Sequence, residues 1–123
     1  MKQVILDTNF ILACLRQKID FFNDLKFMGL EIVIPKQVIN ELKKLERTAP
    51  KRHIKEDCEL ALKWLEKNSY ETIDFGGRYV DKGIFKLTQE NKNIIIATLD
   101  RELKKKIKNP KIVIKGKKKL EIF

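Results

Sequence analysis

A chain of 123 residues, 43% of them hydrophobic, is long enough to bury one core and too short to need a second domain. A formal charge of +10 and a pI near 9.6 favour a polyanionic partner, and the absence of a long apolar span, a signal-like segment or a lipid-binding amphipathic helix turns that expectation from membrane to nucleic acid. Two cysteines, Cys14 and Cys58, with a single His53 make neither a disulfide framework nor a Cys/His zinc site, so a cytoplasmic protein with buried structural cysteines and a solvated histidine is expected.

The first apolar run, Lys2 to Leu6, predicts a buried strand that passes at Asp7 into a helix through Phe10, Ile11, Cys14 and Leu15. A second helix is predicted from Asp20 to Met28, with Gly29 supplying the left-handed residue at its end. Glu31 to Ile34 reads as a strand stopped by Pro35, and Val38, Ile39, Leu42 and Leu45 recur at helical spacing over 36–47. Ala49-Pro50 breaks that helix before another over 55–67, and Tyr70 to Phe75 suits a short strand. Gly76-Gly77 punctuates the chain ahead of a helix ending near Asn91. A strand from Ile94 to Thr98, a helix carrying Leu103 and Ile107, and a strand over 111–115 complete the series. Strands separated by helices predict βαβ units, hence a parallel sheet with right-handed crossovers and helices on both faces.

Ligands bind beyond the carboxyl ends of parallel strands, which is where Asp7 and Asp100 fall. Each is also a favoured helix N-cap. On a helical wheel Glu41 lies about 40° from Leu45, at the edge of its helix's apolar arc, and Asp81 falls between Ile84 and Phe85 at the margin of its own. Carboxylates about 4 Å apart repel by about 4 kcal/mol per pair at an effective dielectric near 20, so such a cluster binds cations or takes up protons. An all-oxygen donor set suits Mg²⁺ or Mn²⁺. Beyond Asp100 the chain is strongly basic, with Arg101, Lys104, Lys105, Lys106, Lys108, Lys111, Lys115, Lys117, Lys118 and Lys119. A solvated face and a phosphate-binding surface account for this run equally well.

Four segments together resemble the acidic motifs of PIN domains, in order: Asp7-Thr8-Asn9 after an apolar strand, Val38-Ile39-Asn40-Glu41-Leu42, Val80-Asp81-Lys82-Gly83-Ile84, and Ala97-Thr98-Leu99-Asp100-Arg101-Glu102-Leu103. The resemblance implies one PIN-like domain over 1–123 with a basic C-terminal segment at 101–119. Its fold would be a three-layer α/β/α sandwich around a central parallel sheet of 4–5 strands. It further implies a metal-dependent ribonuclease in which Asp7, Glu41, Asp81 and Asp100 bind one or two Mg²⁺ or Mn²⁺ ions, with Thr8, Asn9 and Thr98 orienting them. Glu102 is a further candidate ligand, although a first-turn Glu also suits the helix dipole. Lys82 stands where some members carry a second acid, which leaves the ion number open.

In-line attack by water would leave a 5′-phosphate and a 3′-hydroxyl. Arg101, Lys104, Lys105, Lys106 and Lys108 would hold the RNA backbone, and Tyr79 is a candidate base platform. Single-stranded RNA and structured rRNA or tRNA are the substrates this resemblance allows; a second copy of the chain and an antitoxin protein are the partners, for either a toxin or an RNA-processing enzyme. A catalytically weak RNA-binding scaffold in ribosome assembly is the alternative. A phosphoacceptor receiver domain fits less well, because Asp7 is followed by Thr8-Asn9 and the second strand ends in Pro35.

Overall fold

The computed structural model describes residues 2–77, 79–116 and 118–123; Lys117 of the basic segment lies outside the described residues. In chain order the elements are β1 (Gln3–Leu6), α1 (Thr8–Arg16), α2 (Phe21–Phe27), β2 (Glu31–Pro35), α3 (Lys36–Thr48), α4 (Arg52–Lys67), β3 (Glu71–Ile73), α5 (Val80–Glu90), β4 (Ile95–Ala97), α6 (Arg101–Lys106), β5 (Lys111–Lys115) and β6 (Lys119–Ile122). Gly29 follows α2 at φ +79°, in the left-handed region that a residue with a Cβ adopts at a cost. The helix expected from residue 55 begins three residues earlier, at Arg52, which puts His53 in its exposed first turn.

Among the described residues the strands form one six-stranded sheet in the order β3-β2-β1-β4-β5-β6. Pairing is parallel from β3 through β5, and β6 runs antiparallel to β5. The sheet therefore exceeds the expected 4–5 strands by an edge strand that closes a hairpin. Residues 119–122 hide this strand behind lysine: Leu120 alone points into the core while Lys119, Glu121 and Ile122 stay exposed. Gly116 at φ +56° and Lys118 at φ +64° both take left-handed conformations between β5 and β6. Much of the basic segment 101–119 is thus built into α6, β5 and the start of β6.

Moving from β1 to β2 to β3 the chain steps one way across the sheet, then returns past its start to β4 and β5. With right-handed crossovers this reversal sets α1, α3 and α4, which pack on one another, on one face and the paired α5 and α6 on the other. The expected three-layer α/β/α sandwich is the observed architecture. Val4, Ile5, Leu6, Ile32, Val33, Ile34, Ile95, Ile96 and Ala97 fill the middle layer and are all buried, as central parallel strands require. Cys14 and Cys58 are buried in the core, as their small apolar character predicts. Asn109, also buried, donates from its side-chain nitrogen to the carbonyls of Asn91 and Ile94 at 2.9 and 2.8 Å, tying the entry to β4 to the entry to β5.

Candidate active site

The sheet's reversal point lies between β1 and β4, and there the register sets Leu6 opposite Ala97. The amide of Asp7 donates to the Ala97 carbonyl at 3.0 Å, so one last ladder bond fixes Asp7 beside the chain leading to Asp100. In an open α/β sheet the strands diverge at such a point and leave a crevice at their carboxyl edge. Both aspartates cap the helices that follow. Asp7 Oδ1 accepts from the Thr8 amide at 2.7 Å, and Asp100 Oδ1 accepts from the amides of Glu102 and Leu103 at 3.0 and 3.2 Å. In both residues the cap hydrogen bonds use Oδ1 alone.

Thr98 joins the two. Its hydroxyl donates to Asp7 Oδ2 at 2.9 Å and accepts from the Asp100 amide at 3.1 Å. Of the other two supporting residues expected, Thr8 is buried, and its Oγ1 has no hydrogen-bond partner in standard geometry among the described residues. It lies toward the Glu41 carboxyl, whose charged form it favours. Asn9 is exposed on α1.

Of the four acids Asp7 is buried, Asp100 half-buried, and Glu41 and Asp81 are exposed on their helices, yet their charges bear on one another. Burial pushes the Asp7 carboxyl above its ordinary value and the Asp100 charge adds to this, against the opposing pull of Thr98 and the Thr8 amide. Glu41, on α3, is raised by loss of solvent and then by Asp7, with Asp81 adding to the effect and Lys44 opposing it. Asp81, in the first turn of α5, is raised by desolvation, by Asp7 and Asp100, and by hydrogen bonding with Asp100, while Lys106 opposes. Like charges that raise one another in this way face a common space. The four come from β1, α3, α5 and the β4–α6 junction, elements distant in sequence.

Among the described residues no three acids already stand in ligating geometry. A bound cation would offset the repulsion among carboxylates at this edge. The donor set fits a hard divalent ion: carboxylate oxygens from four elements, with the buried Thr8 hydroxyl toward Glu41 beside them. Glu102 is exposed in the first turn of α6 and shares a cleft wall with Asp81 and Asp100.

Neither cysteine is set up as a nucleophile. Burial pushes the Cys14 thiol up to about 12 and also raises that of Cys58. His53 is exposed on α4, an element that carries none of the four acids.

The cations divide by role. Arg101, Lys105, Lys106 and Lys108 are exposed and Lys104 is half-buried, which leaves this group available to a polyanion. Lys111 is different: its Nζ donates to the carbonyls of Ile107 and Asn109 at 2.7 and 2.9 Å and so closes the end of α6. Lys115 stands 4.3 Å from the Phe123 ring centroid and 3.9 Å from the Glu121 carboxylate within the hairpin. Tyr79 is exposed, with the Lys82 ammonium 5.1 Å from its ring centroid.

Two features here went beyond the sequence reading. Thr98 was expected in a supporting role, but its bridge to Asp7 was not legible, since that contact depends on β1 and β4 being neighbours. The second is Gly83. A Cβ on this residue would lie 2.2 Å from Cγ of the Phe75 ring, so the ring packs directly on the α5 backbone two residues from Asp81. A glycine inside a helical pattern costs stability relative to alanine, and that penalty was the available signal of a close approach.

Comparison with known proteins agrees with this geometry. A family model described as a PIN like domain matches residues 4–118. Ribonuclease VapC4 of Methanocaldococcus jannaschii is 32% identical over an alignment covering 100% of this chain and 98% of that protein. The rRNA-processing protein fcf1 of Schizosaccharomyces pombe is 32% identical over 85% of this chain and 53% of its own length, so the chain spans about half of that relative. Among solved structures, the PIN domain endonuclease Utp24 superposes with a TM-score of 0.78 and 28% identity, covering 98% of this chain and 90% of that one. With the sheet order, the crevice between β1 and β4 and the extent of these matches in agreement, the chain belongs to the PIN-like domain family.

Proposed function

We propose that this chain is an endoribonuclease that hydrolyses RNA phosphodiester bonds with the help of a divalent cation. The observation that supports this reading best is the pair Asp7 and Asp100 bridged by Thr98 at the carboxyl edge of β1 and β4, with Glu41 and Asp81 raised in part by charges of that pair. A pure RNA-binding scaffold gains nothing from acids concentrated where phosphate must approach. These four residues would hold one or two Mg²⁺ or Mn²⁺ ions, with Glu102 at the margin. Such an ion, when bound, supplies charge neutralisation at the scissile phosphate and an acidified water for in-line attack.

The chain's own residues supply the rest. Thr98 and the Thr8 amide hold Asp7, and the cap hydrogen bonds hold Asp100, so both carboxyls are oriented before substrate arrives. Arg101, Lys104, Lys105, Lys106 and Lys108 would draw the RNA backbone across the crevice. The names of the relatives, a ribonuclease, an rRNA-processing protein and an endonuclease, support RNA as the substrate class. Both an RNA-processing role on rRNA or tRNA and a toxin role with an antitoxin partner use this one site, and either is open to a dimer.

Labelled single-stranded RNA incubated with the full chain is expected to be cut in Mg²⁺ or Mn²⁺ and to stay intact in chelator. Equal cleavage with and without chelator would overturn the reading.

A further inference from the structure

A cleft of about 640 Å³ opens between α5 and α6, with Asp81 and Asp100 at one end. It lies outside the basic group assigned above to the RNA backbone, apart from Lys106, and most of its lining takes no part in the proposed chemistry. Its volume is in the range of small-molecule sites. Two rows of α5 side chains form one wall at helical spacing: Asp81, Phe85 and Gln89 in one, Lys82, Lys86 and Glu90 in the other. Leu103 and Lys106 of α6 face them.

We infer that this cleft receives the unpaired nucleotide next to the scissile phosphate, with its base against Phe85 and its phosphates between Lys82, Lys86 and Lys106. The inference rests on the ribonuclease reading for the identity of the strand. Four features carry it. Phe85 is half-buried, packed on the core by one part of its ring and open to the cleft by another, which fixes an aromatic surface where a base could lie. Leu103 completes an apolar floor. Lys106, the last residue of α6, lines the cleft across from α5 and adds a cation to its wall. Lys82 and Lys86 sit one helical turn apart along the opposite rim, and Lys82 is steadied by the Tyr79 ring.

The charge pattern runs the same way. Asp81, Asp100 and Glu102 lie toward the starts of α5 and α6, Glu90 and Lys106 toward their ends, and Lys82 and Lys86 along α5 between. A single-stranded polyanion fits that sequence of charges, with phosphates at the rims, a base on the apolar floor and the bond to be cut at the acids. Gln89, with one donor and one acceptor group, is the residue placed to read a base edge.

The test uses the full chain and a fluorescein-labelled single-stranded RNA of eight nucleotides, compared with the same RNA made abasic at the nucleotide flanking its cleavage site. Binding is followed by fluorescence anisotropy in Ca²⁺, and cleavage in Mn²⁺. Phe85→Leu, which keeps an apolar side chain and removes the ring, is expected to weaken binding of the intact RNA and raise KM by about tenfold with kcat little changed. The abasic RNA should bind wild type and Phe85→Leu alike. Lys86→Glu, an exposed change that leaves the core alone, should weaken both RNAs and lower the salt dependence of binding. Equal binding of intact and abasic RNA by the wild-type protein, or wild-type KM in both variants, would overturn the cleft assignment while cleavage itself left the nuclease reading standing. Base-dependent binding with no cleavage would do the reverse. No binding of either RNA would overturn both.

Discussion

The Thr98 hydroxyl donates to Asp7 Oδ2 at 2.9 Å, linking residues 91 positions apart, and the same oxygen accepts from the Asp100 amide. One side chain thus sets the spacing of the two aspartates that flank the sheet's reversal point. Thr98→Val keeps the shape, removes the hydroxyl and leaves the Asp100 amide without its partner. Loss of that bond inside the fold should cost about 1–3 kcal/mol of stability. Cleavage should drop roughly tenfold or more, since a small displacement of an oriented group is expensive in rate, and Thr98→Ser should restore most of it. A Val variant with wild-type kcat would remove Thr98 from the positioning role.

Folding raises Asp7, Glu41 and Asp81 above their unfolded values, near 3.8 for Asp and 4.5 for Glu. The folded state therefore holds these protons more tightly than the unfolded one. Their contribution to stability is fully present below the unfolded values and is lost as pH rises through the raised ones. Without divalent ions, neutralising Asp100 should relieve its neighbours at neutral pH. Asp100→Asn keeps the Oδ1 acceptor for the Glu102 and Leu103 amides, so the helix cap survives. With screening at this partly exposed position the gain should be about 0.5–1 kcal/mol, a Tm increase of roughly 2–5 °C. That gain should shrink as the pH is lowered toward 4. A lower Tm at neutral pH would assign Asp100 to capping alone.

Gly83→Ala drives a methyl into the Phe75 ring, which cannot retreat freely because Gln37 holds the Phe75 amide through its Oε1 at 3.3 Å. Overpacking should cost about 1–3 kcal/mol and tilt the first turn of α5, moving Asp81. Denaturant melts and cleavage assays should both report the loss, and Phe75→Leu in the same chain should recover part of each. Additive losses in the double variant would disprove the coupling.

The basic residues should separate into two groups by salt dependence. Lys105→Ala and Lys108→Ala should weaken RNA binding and lower the slope of log K against log salt by about one unit each, if each contacts a phosphate. Lys111→Met should leave the slope unchanged and instead destabilise the chain, because it loses two hydrogen bonds that close α6. An unchanged slope in both exposed variants would take those lysines out of the RNA interface.

The central strands, the helices between them and the places of Asp7 and Asp100 were legible because burial imposes continuous apolar runs and caps impose carboxylates at strand-to-helix turns. Glu41 and Asp81 were visible as residues on the edges of apolar arcs and through the motif resemblance; the sheet order that relates α3 to α5 is a tertiary fact. β6 escaped notice because one buried residue, Leu120, carries its whole pattern among lysines. The Thr98 bridge, the Phe75 ring on Gly83 and the α5–α6 cleft all depend on contacts between distant segments and left at most a faint local signal.

Single-turnover cleavage of one labelled RNA in Mn²⁺ by Asp7→Asn, Glu41→Gln, Asp81→Asn and Asp100→Asn, alongside anisotropy for RNA binding, tests the four-acid centre most directly. Each substitution should reduce the cleavage rate by a hundredfold or more, on the order expected for groups that act as a unit, while RNA binding stays within a few-fold of wild type or tightens. Asp7→Asn combined with Asp81→Asn should be little worse than either alone. Near-wild-type cleavage by the Asp7 and Asp81 variants would contradict the account.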